Sequence, residues 1–503
     1  MKIPRMTPSP AYMRLGAIFL LALALRLPGI LHSLPSYPDA GEADAIFIAV
    51  GIVKGDPNPH YFLYPSLYYY LNAGIVAGVN AAYHLLHAAH WAAGEHTPFW
   101  LFFAVSRIVN VLLLCVCAWG VFCIGGALRS DRAGTMAALL FSLAPIHYAH
   151  STRIDPDVLA MTFVCWCMYY SLRAMDAPGR IRPLVAAAVC AGLAIGSKYM
   201  WFVPVAPLIA ALRDGNRWTR GRIVVRRWAL IAAISAAAFA ITTPFSILSI
   251  KEFIRALLMQ SGTYAGGHPG AESGNLFAFF LRYLLMDGMT PLLFLAGISG
   301  VIAAFARKPW SMAVVCAAPL LWFILLCNYH IAFTHNLMTL AIPFSAGAAL
   351  LLDRIGMRTA RYAALAALVA LPVIKDGISL QRLMKPDIRS VADAWIGANL
   401  PAGSLIARED YTPMCDRGDF RVRYIGICGL AYVTPDSMVK AGYDYCIAAG
   451  HGRFNQNPGK YARERFNYAA ILAAFPTIRL FLPGDRHIGD TVRILRVKQP
   501  GAM

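Results

Sequence analysis

The sequence predicts a polytopic α-helical membrane protein that ends in a small soluble α+β domain. Of its 503 residues, 58% are hydrophobic and only 14% are charged, whereas charged residues alone make up about a quarter of an ordinary soluble domain. Apolar runs recur between residues 15 and 376, and many approach the roughly 20 residues that cross a bilayer. Lys and Arg occur in short clusters between these runs, a pattern typical of loops that face anionic cytoplasmic lipid.

The apolar runs predict about eleven transmembrane helices. A further stretch, 62–91, is long enough to cross, but the basic cluster at 213–227 would then face the opposite side from the N-terminus. Such an arrangement conflicts with the positive-inside rule. We therefore predict a cytoplasmic N-terminus and interfacial helices in the first outer loop. The eleven runs are 15–31, 100–128, 133–150, 158–174, 183–198, 199–212, 228–247, 289–306, 311–328, 331–352 and 360–376.

Two domains are predicted, a transmembrane domain at 1–375 and a periplasmic α+β domain at 376–503. A soluble helix is expected at 387–399, followed by short strands in SLIA, YDYCIAA and VRILRV. Glu409 and Asp410 are expected on a solvated face. Two of the three tail cysteines could pair in an oxidising compartment; they are Cys415, Cys428 and Cys446.

Two groups of acids follow apolar runs on the predicted outer side. Asp39 and Glu42 lie in YPDAGEAD, and Asp155 and Asp157 lie in STRIDPD. Carboxylates at the ends of membrane segments indicate a functional site, although ordinary loop acids are the alternative. Cations on the same side are Arg107, Arg153, Lys198 and His268, the last in a glycine-rich outer loop at 248–288.

This set of residues suits one chemistry in particular. An outer-facing site has no ready supply of ATP or nucleotide sugar, so a lipid-linked sugar donor is the simpler substrate. Its phosphate leaves readily, which leaves the protein to supply a carboxylate that takes the acceptor proton and cations that hold the phosphate.

Each cation also has an alternative interpretation. Arg107 and Lys198 could be anchors whose charged ends reach the headgroups. Arg153 could simply pair with Asp155 or Asp157. His268 could be an ordinary loop residue, since no HxxH or paired Cys accompanies it.

Several motifs resemble a known group of enzymes. They are similar to those of the polytopic, lipid-carrier-dependent glycosyltransferases of the C superfamily. The likeness points in particular to the family-39 group, which includes protein mannosyltransferases and aminoarabinose transferases of lipid A. The motifs run in order over most of the chain: PDAGE, GDPNPHYFLYPSLYYYL, SR at Ser106–Arg107, APIHYAHSTRIDPD, GLAIGSKY, YAGGHPG and DIRSVADAWIGANLPAGSLIAREDYTP.

The resemblance implies roles for particular residues. Asp39 matches the catalytic acid of the first loop, and Arg107 and Lys198 match positions that bind the donor phosphate. Ala40 stands where many relatives have Glu, so either Glu42 substitutes or the handling of metal or acceptor differs. Asp155 and Asp157 match the second-loop acids. A divalent metal is left open, with Asp39, Glu42, Asp155 and Asp157 as its candidate ligands.

Together these expectations describe an inverting hexosyl or pentosyl transferase of the bacterial inner membrane. It would move a sugar from a polyprenyl-phosphate donor to a hydroxyl of a glycan, lipid or protein at the periplasmic face, among membrane lipids. The net charge of +19 is assigned to the loops, so no nucleic-acid partner is expected. The alternatives are a transporter or flippase of lipid-linked sugars and a catalytically silent binding protein.

Overall fold

The structure is a computed structural model that describes residues 10–34, 40–87, 97–177, 179–213, 221–415 and 418–498. Within these ranges the chain is mainly helical and ends in one five-stranded sheet. The helices are α1 (Pro10–Arg26), α2 (Ala40–Val53), α3 (Leu67–His87), α4 (Phe99–Leu128), α5 (Asp131–Ser142), α6 (Tyr148–Ser151), α7 (Pro156–Asp176), α8 (Ile181–Ser197), α9 (Val205–Leu212), α10 (Gly221–Thr242), α11 (Phe245–Leu248), α12 (Ile250–Gly266), α13 (Leu276–Tyr283), α14 (Pro291–Phe305), α15 (Pro309–Cys327), α16 (Ala341–Leu352), α17 (Arg358–Leu383), α18 (Ile388–Asn399), α19 (Pro435–Lys440) and α20 (Ala462–Ala474).

The polytopic helical class is confirmed, but the number of spans is not. Among the described residues, seven helices are long and apolar enough to cross a membrane, or eight if the bent pair ending in α14 counts as one span. Every one of the eleven predicted runs contains a helix. However, α5 and α9 reach only about 18 and 12 Å, short of a hydrocarbon core of about 30 Å. The first-loop helices α2 and α3 are not among the candidate spans of the described chain.

Small residues let neighbouring helices of the bundle approach closely. A Cβ atom on Gly300 of α14 would lie 1.9 Å from the carbonyl oxygen of Gly347 of α16, and one on Gly297 would lie 2.8 Å from Cβ of Phe344. Lipid tails are as apolar as the helices themselves, so close packing of this kind replaces the hydrophobic effect as the force that holds membrane helices together.

Helix α4 runs the length of the bundle, and the residues around its two ends differ chemically. At 30 residues it is about 45 Å long. Near its C-terminal end, Arg129 and Arg132 pair with Asp353, and the Lys308 ammonium donates to the Leu128 carbonyl at 2.7 Å. Glu42, Asp155 and Asp157 lie near its other end, around Arg107, which we call the acid-bearing end.

The tail forms the predicted α+β domain. Its strands are β1 (Leu405–Arg408), β2 (Arg421–Tyr424), β3 (Tyr445–Ala448), β4 (Thr477–Phe481) and β5 (Val492–Arg496), in the order β2-β1-β3-β5-β4. Strands β2, β1 and β3 are parallel, whereas β5 is antiparallel to β3 and β4. The sequence predicted β1, β3, β5 and α18 and missed β2 and β4. The predicted boundary at 375 falls inside α17.

One expectation about the tail is wrong. Glu409, predicted on a solvated face, is 0% exposed. Its carboxylate accepts hydrogen bonds from the amides of Ala449 and Gly450 at 2.8 and 2.7 Å and from the Tyr468 hydroxyl. The cause is that the end of β1 lies beneath α20 and the turn after β3, which the local sequence does not reveal.

The three tail cysteines form no disulfide in this structure. All eleven cysteines lie among the described residues, and no disulfide joins any two of them. Each tail cysteine is buried, and burial raises the pKa of the Cys428 thiol to about 12. The pairing that the sequence left open therefore does not occur in this structure.

The tail lies against the acid-bearing end. Glu272, in the loop between α12 and α13, accepts hydrogen bonds from the Lys460 ammonium at 2.6 Å, the Asn457 amide at 3.3 Å and the Tyr461 hydroxyl. On the other side, His32 lies 3.5 Å from the Asp387 carboxylate. The tail domain is thus positioned to contribute to a site at this end.

Candidate active site

Acids from the two predicted loops meet in one cavity, which we call the acid cavity. Its volume is about 180 Å³. Helix α2 contributes Glu42 and Asp44, and the start of α7 contributes Asp155 and Asp157. The remaining polar side chains that line it are Tyr61, Tyr64, Tyr68, Tyr69, His150, Arg153 and His335.

Asp155 is held at the N-terminus of α7. One carboxylate oxygen accepts the amide hydrogen of Asp157 at 2.8 Å, and the other lies 2.6 Å from Nδ1 of His150. Burial and the neighbouring Asp157 carboxylate raise the pKa of Asp155, while His150 opposes that rise. A carboxylate with a raised pKa beside an imidazole is suited to accept a proton.

Asp157 forms an ion pair with Lys198, which follows α8 directly. The Lys198 ammonium also donates to the side-chain oxygen of Asn336 at 2.6 Å. The side chains of Lys198 and Asp157 are 8% and 9% exposed, so the pair is largely shielded from water. This shielding strengthens the attraction between the Lys198 ammonium and an anion that contacts it directly.

Lys198 lines a second cavity, which we call the aromatic cavity. Its volume is about 160 Å³. Tyr64 lines both cavities, so they lie side by side and meet at the Asp157–Lys198 pair. The other residues that line the aromatic cavity are mostly apolar or aromatic, namely Leu63, Tyr199, Trp201, Leu257, Gln260, Ser261, Tyr264, Trp322, Leu325 and Tyr329.

Glu42 and Arg107 form a second buried ion pair. The guanidinium donates from Nε and Nη2 to the two carboxylate oxygens at 2.8 and 2.6 Å. Its Nη1 donates to the carbonyls of Ile30 and His32, and Glu42 also accepts the amide hydrogen of Ile154 at 2.8 Å. The pair thus joins the first loop, α4 and the segment before α7.

Arg107 is therefore placed differently from the expected phosphate ligand. It does not line the acid cavity or the aromatic cavity, and Glu42 faces the acid cavity with its charge already balanced. The geometry favours a positioning role for both residues. Arg153 and Lys198 are the predicted cations that do line these cavities.

Two predicted residues, Asp39 and His268, remain. Asp39 is outside the described residues; it directly precedes α2, which begins at Ala40. His268 lies in the loop after α12, where its Nδ1 is 2.9 Å from the Pro269 carbonyl and its ring is 5.9 Å from that of Phe333. His268 is not part of either cavity.

Three of the candidate metal ligands already have a partner in this structure. Glu42 is bound by Arg107, Asp155 by His150 and Asp157 by Lys198. Among the residues that the structure describes, no group of three or more His, Cys, Asp or Glu side chains has the arrangement of a metal site. Metal binding through Asp39, Glu42, Asp155 or Asp157 stays a prediction.

Sequence reasoning missed three residues of the site. His150 and His335 have ring centroids 5.1 Å apart at the acid cavity, and Asn336 bonds Lys198. The sequence did contain a signal for His335 and Asn336, because the polar triplet THN interrupts the apolar run at 331–352. Polar side chains inside a membrane segment indicate function.

Comparison with known proteins supports the resemblance. Residues 102–247 match a family model described as dolichyl-phosphate-mannose-protein mannosyltransferase. No match was found among curated protein sequences.

Solved structures with a similar fold cover almost the whole chain. ArnT from Cupriavidus metallidurans, bound to undecaprenyl phosphate, is 12% identical with a TM-score of 0.60 over 97% of this chain and 98% of that chain. The oligosaccharyltransferase AglB from Archaeoglobus fulgidus, in complex with an inhibitory peptide and a dolichol-phosphate, is 13% identical with a TM-score of 0.57 over 95% and 74%. The arabinofuranosyltransferase AftD from Mycobacteria is 15% identical, with a TM-score of 0.51 over 97% and 40%. The chain is a multi-pass helical membrane protein that shares its fold with ArnT and AglB, as the resemblance predicted.

Proposed function

We propose that the protein is an inverting glycosyltransferase that moves a hexosyl or pentosyl group from a polyprenyl-phosphate donor to an acceptor hydroxyl. One observation carries this proposal: the aromatic cavity and the acid cavity meet at Lys198. A donor phosphate bound there would have apolar surface on one side for its prenyl chain. On the other side it would have acids for the acceptor. The lipid phosphates bound in the ArnT and AglB structures support this class of donor.

The reaction needs little from the protein beyond position and one base. The acceptor oxygen attacks the anomeric carbon from the face opposite the phosphate, and the bond between that carbon and the phosphate oxygen breaks. Polyprenyl phosphate leaves with the bonding electrons, and the acceptor proton passes to a carboxylate. Asp39 is the proposed base by resemblance, Asp155 lines the acid cavity, and Lys198 and Arg153 bind the phosphate.

We place the acid-bearing end on the periplasmic side of a bacterial inner membrane, with the N-terminus in the cytoplasm. The basic side chains that gather around Asp353, at the other end of α4, support this orientation. Acceptors on that side would be glycans, lipids or proteins with a free hydroxyl.

The test is acceptor-dependent release of polyprenyl phosphate by the purified protein in detergent. Asp39→Asn should lower turnover by about 10²- to 10⁴-fold, the usual worth of a general base. Asp56→Asn is the matched control, because Asp56 lies in the same loop but its side chain is exposed.

Two results would count against the proposal. Near-normal turnover in Asp39→Asn would remove that residue from the chemistry. Movement of the carrier lipid across sealed vesicles, without release of phosphate for any acceptor in a broad panel, would favour a flippase.

A further inference from the structure

The tail domain contains a third cavity, which we call the tail cavity. Its volume is about 500 Å³, within the range of pockets that bind small molecules. The charged or titratable side chains that line it are Arg453, Arg493, Asp490, His451 and Tyr468.

The tail cavity lies where the sheet changes from parallel to antiparallel. Strand β3 is parallel to β1 and antiparallel to β5, so the carboxyl end of β3 and the amino end of β5 share one edge of the sheet. Ala448 and Arg493 are register partners at that edge. In sheets with parallel strands, ligands bind outside the carboxyl ends at such switch points.

Positive charge dominates this cavity. Within the described part of the chain, Arg493 makes no ion pair. Arg453 is 3.2 Å from the Asp490 carboxylate, whose side chain is 54% exposed, and its guanidinium lies 3.5 Å above the Tyr411 ring. Burial and the nearby Arg493 lower the pKa of His451, which agrees with a cationic surrounding.

The tail cavity also adjoins the acid-bearing end. Gly270, from the loop between α12 and α13, lines it, and a Cβ atom there would lie 3.1 Å from the Arg453 side chain. Arg453 opposes the rise that burial causes in the pKa of Asp410. Burial and Asp410 in turn raise the pKa of Asp44, which lines the acid cavity. Asp410 therefore interacts electrostatically with Arg453 of the tail cavity and with Asp44 of the acid cavity.

We propose that the tail cavity binds an anionic group of the acceptor, a phosphate or a carboxylate, through Arg493 and Arg453. This inference rests on the proposed function, because it assigns the cavity to the acceptor of the same reaction. A guanidinium presents a planar fork that matches both anions in a bidentate manner. The bound group would hold the acceptor while its hydroxyl extends toward the acid cavity.

The experiment is calorimetric titration of the full-length protein in detergent with glucose 6-phosphate, glucuronate and glucose. We expect at least one anionic sugar to bind and glucose not to bind; the stronger of the two anions identifies the group. Arg493→Gln should weaken that binding at least about tenfold, the loss of a single charge-assisted contact. Arg479→Gln, an equal change of charge at an exposed position of β4, should not weaken it.

A second variant fills the cavity without changing its charge. A Cβ atom on Gly452, which lines the cavity, would meet nothing within 4 Å. Gly452→Leu should therefore fold normally and exclude the anionic sugar. Thermal unfolding and gel filtration of each variant would show that the loss is local.

Undecaprenyl phosphate is titrated into the same preparations to separate this inference from the proposed function. Binding of the lipid with no binding of either anionic sugar would overturn the inference alone. The inference would also fail if glucose binds as well as the anions, or if Lys198→Gln abolishes sugar binding while Arg493→Gln does not. A protein that binds the anionic sugar but not the lipid phosphate would count against the proposed donor instead.

Discussion

Two buried carboxylate–cation pairs lie at the acid-bearing end. They differ in how many of the cation's N–H donors form hydrogen bonds to the protein itself. Arg107 donates four hydrogen bonds, two to Glu42 and two to backbone carbonyls, and both side chains are 2% exposed. Lys198 has three N–H donors, and described residues accept from it only through Asp157 and Asn336. Of these two cations, Lys198 lines the aromatic cavity, whereas Arg107 lines neither the aromatic cavity nor the acid cavity.

The difference separates positioning from binding. A cation whose donors are matched by the protein holds segments together, whereas one with an unmatched donor beside a cavity is able to take a ligand anion. We therefore expect the Glu42–Arg107 pair to determine stability and the Asp157–Lys198 pair to determine use of the donor.

The largest expected effect is on stability. Arg107→Ala leaves Glu42 as an unpaired buried charge and removes the partner of two carbonyls, so the free energy of unfolding should fall by about 3–5 kcal/mol. Thermal unfolding in detergent measures this. Arg129→Ala is the control, because Asp353 keeps its contact with Arg132, and it should cost much less. A stable Arg107→Ala protein that no longer binds lipid phosphate would reverse the assignment.

The second effect is on the donor. Lys198→Ala should weaken binding of polyprenyl phosphate by about 10- to 100-fold, since a hydrogen bond to a charged group contributes about 1.5–3 kcal/mol. Titration with undecaprenyl phosphate measures the change. Lys375→Ala, which breaks a more exposed pair with Asp287, should leave donor affinity unchanged. Full activity of Lys198→Arg would instead favour a headgroup anchor, because a shaped phosphate site distinguishes a point charge from a planar fork.

The sequence was sufficient to predict the broad architecture. Long apolar runs have a length that only a membrane requires, and the strands β1, β3 and β5 were recognisable from their short apolar cores. It also predicted that Asp155, Asp157 and Glu42 would share a site, because each follows an apolar run on the same predicted side.

The partners of the charged residues could not be predicted in this way. Glu42 and Arg107 are 65 positions apart, and their contact depends on how α2 packs against α4. Lys198 and Asn336 are 138 positions apart. Exposed and buried charges look alike in a sequence, so the burial of Glu409 was missed for the same reason.

A third effect concerns pH. Burial and Asp157 raise the pKa of Asp155, and His150 opposes this rise. His150→Gln should therefore raise the pKa of Asp155 further. If transfer needs the ionised Asp155 carboxylate, the acid limb of the pH–rate profile moves to higher pH. His60→Gln is the control, because His60 forms an exposed pair with Asp56, and it should leave the limb in place.

His150→Gln should also change how the stability of the protein depends on pH. A carboxyl whose pKa is higher in the folded state than in the unfolded state favours folding below its unfolded pKa. That contribution is lost as pH rises through the folded pKa. His150→Gln should therefore lose more stability than the wild-type protein between acidic and neutral pH, as thermal unfolding across that range would show. An unchanged acid limb would mean that Asp155 does not take part in proton transfer.

The smallest expected effect tests whether Lys198 needs both of its acceptors. Asn336→Ala removes the neutral acceptor at 2.6 Å and leaves the Asp157 pair intact. One hydrogen bond to a charged group is lost, but the freed N–H donor can still bind the donor phosphate. Affinity for undecaprenyl phosphate should therefore fall by less than about tenfold, a change below about 1.4 kcal/mol. Asn328→Ala, at an exposed amide that bonds only its own helix, is the control. If Asn336→Ala lowered affinity for undecaprenyl phosphate as much as Lys198→Ala does, Asn336 would orient the ammonium. The number of unmatched N–H donors would then not explain the difference between the Glu42–Arg107 and Asp157–Lys198 pairs.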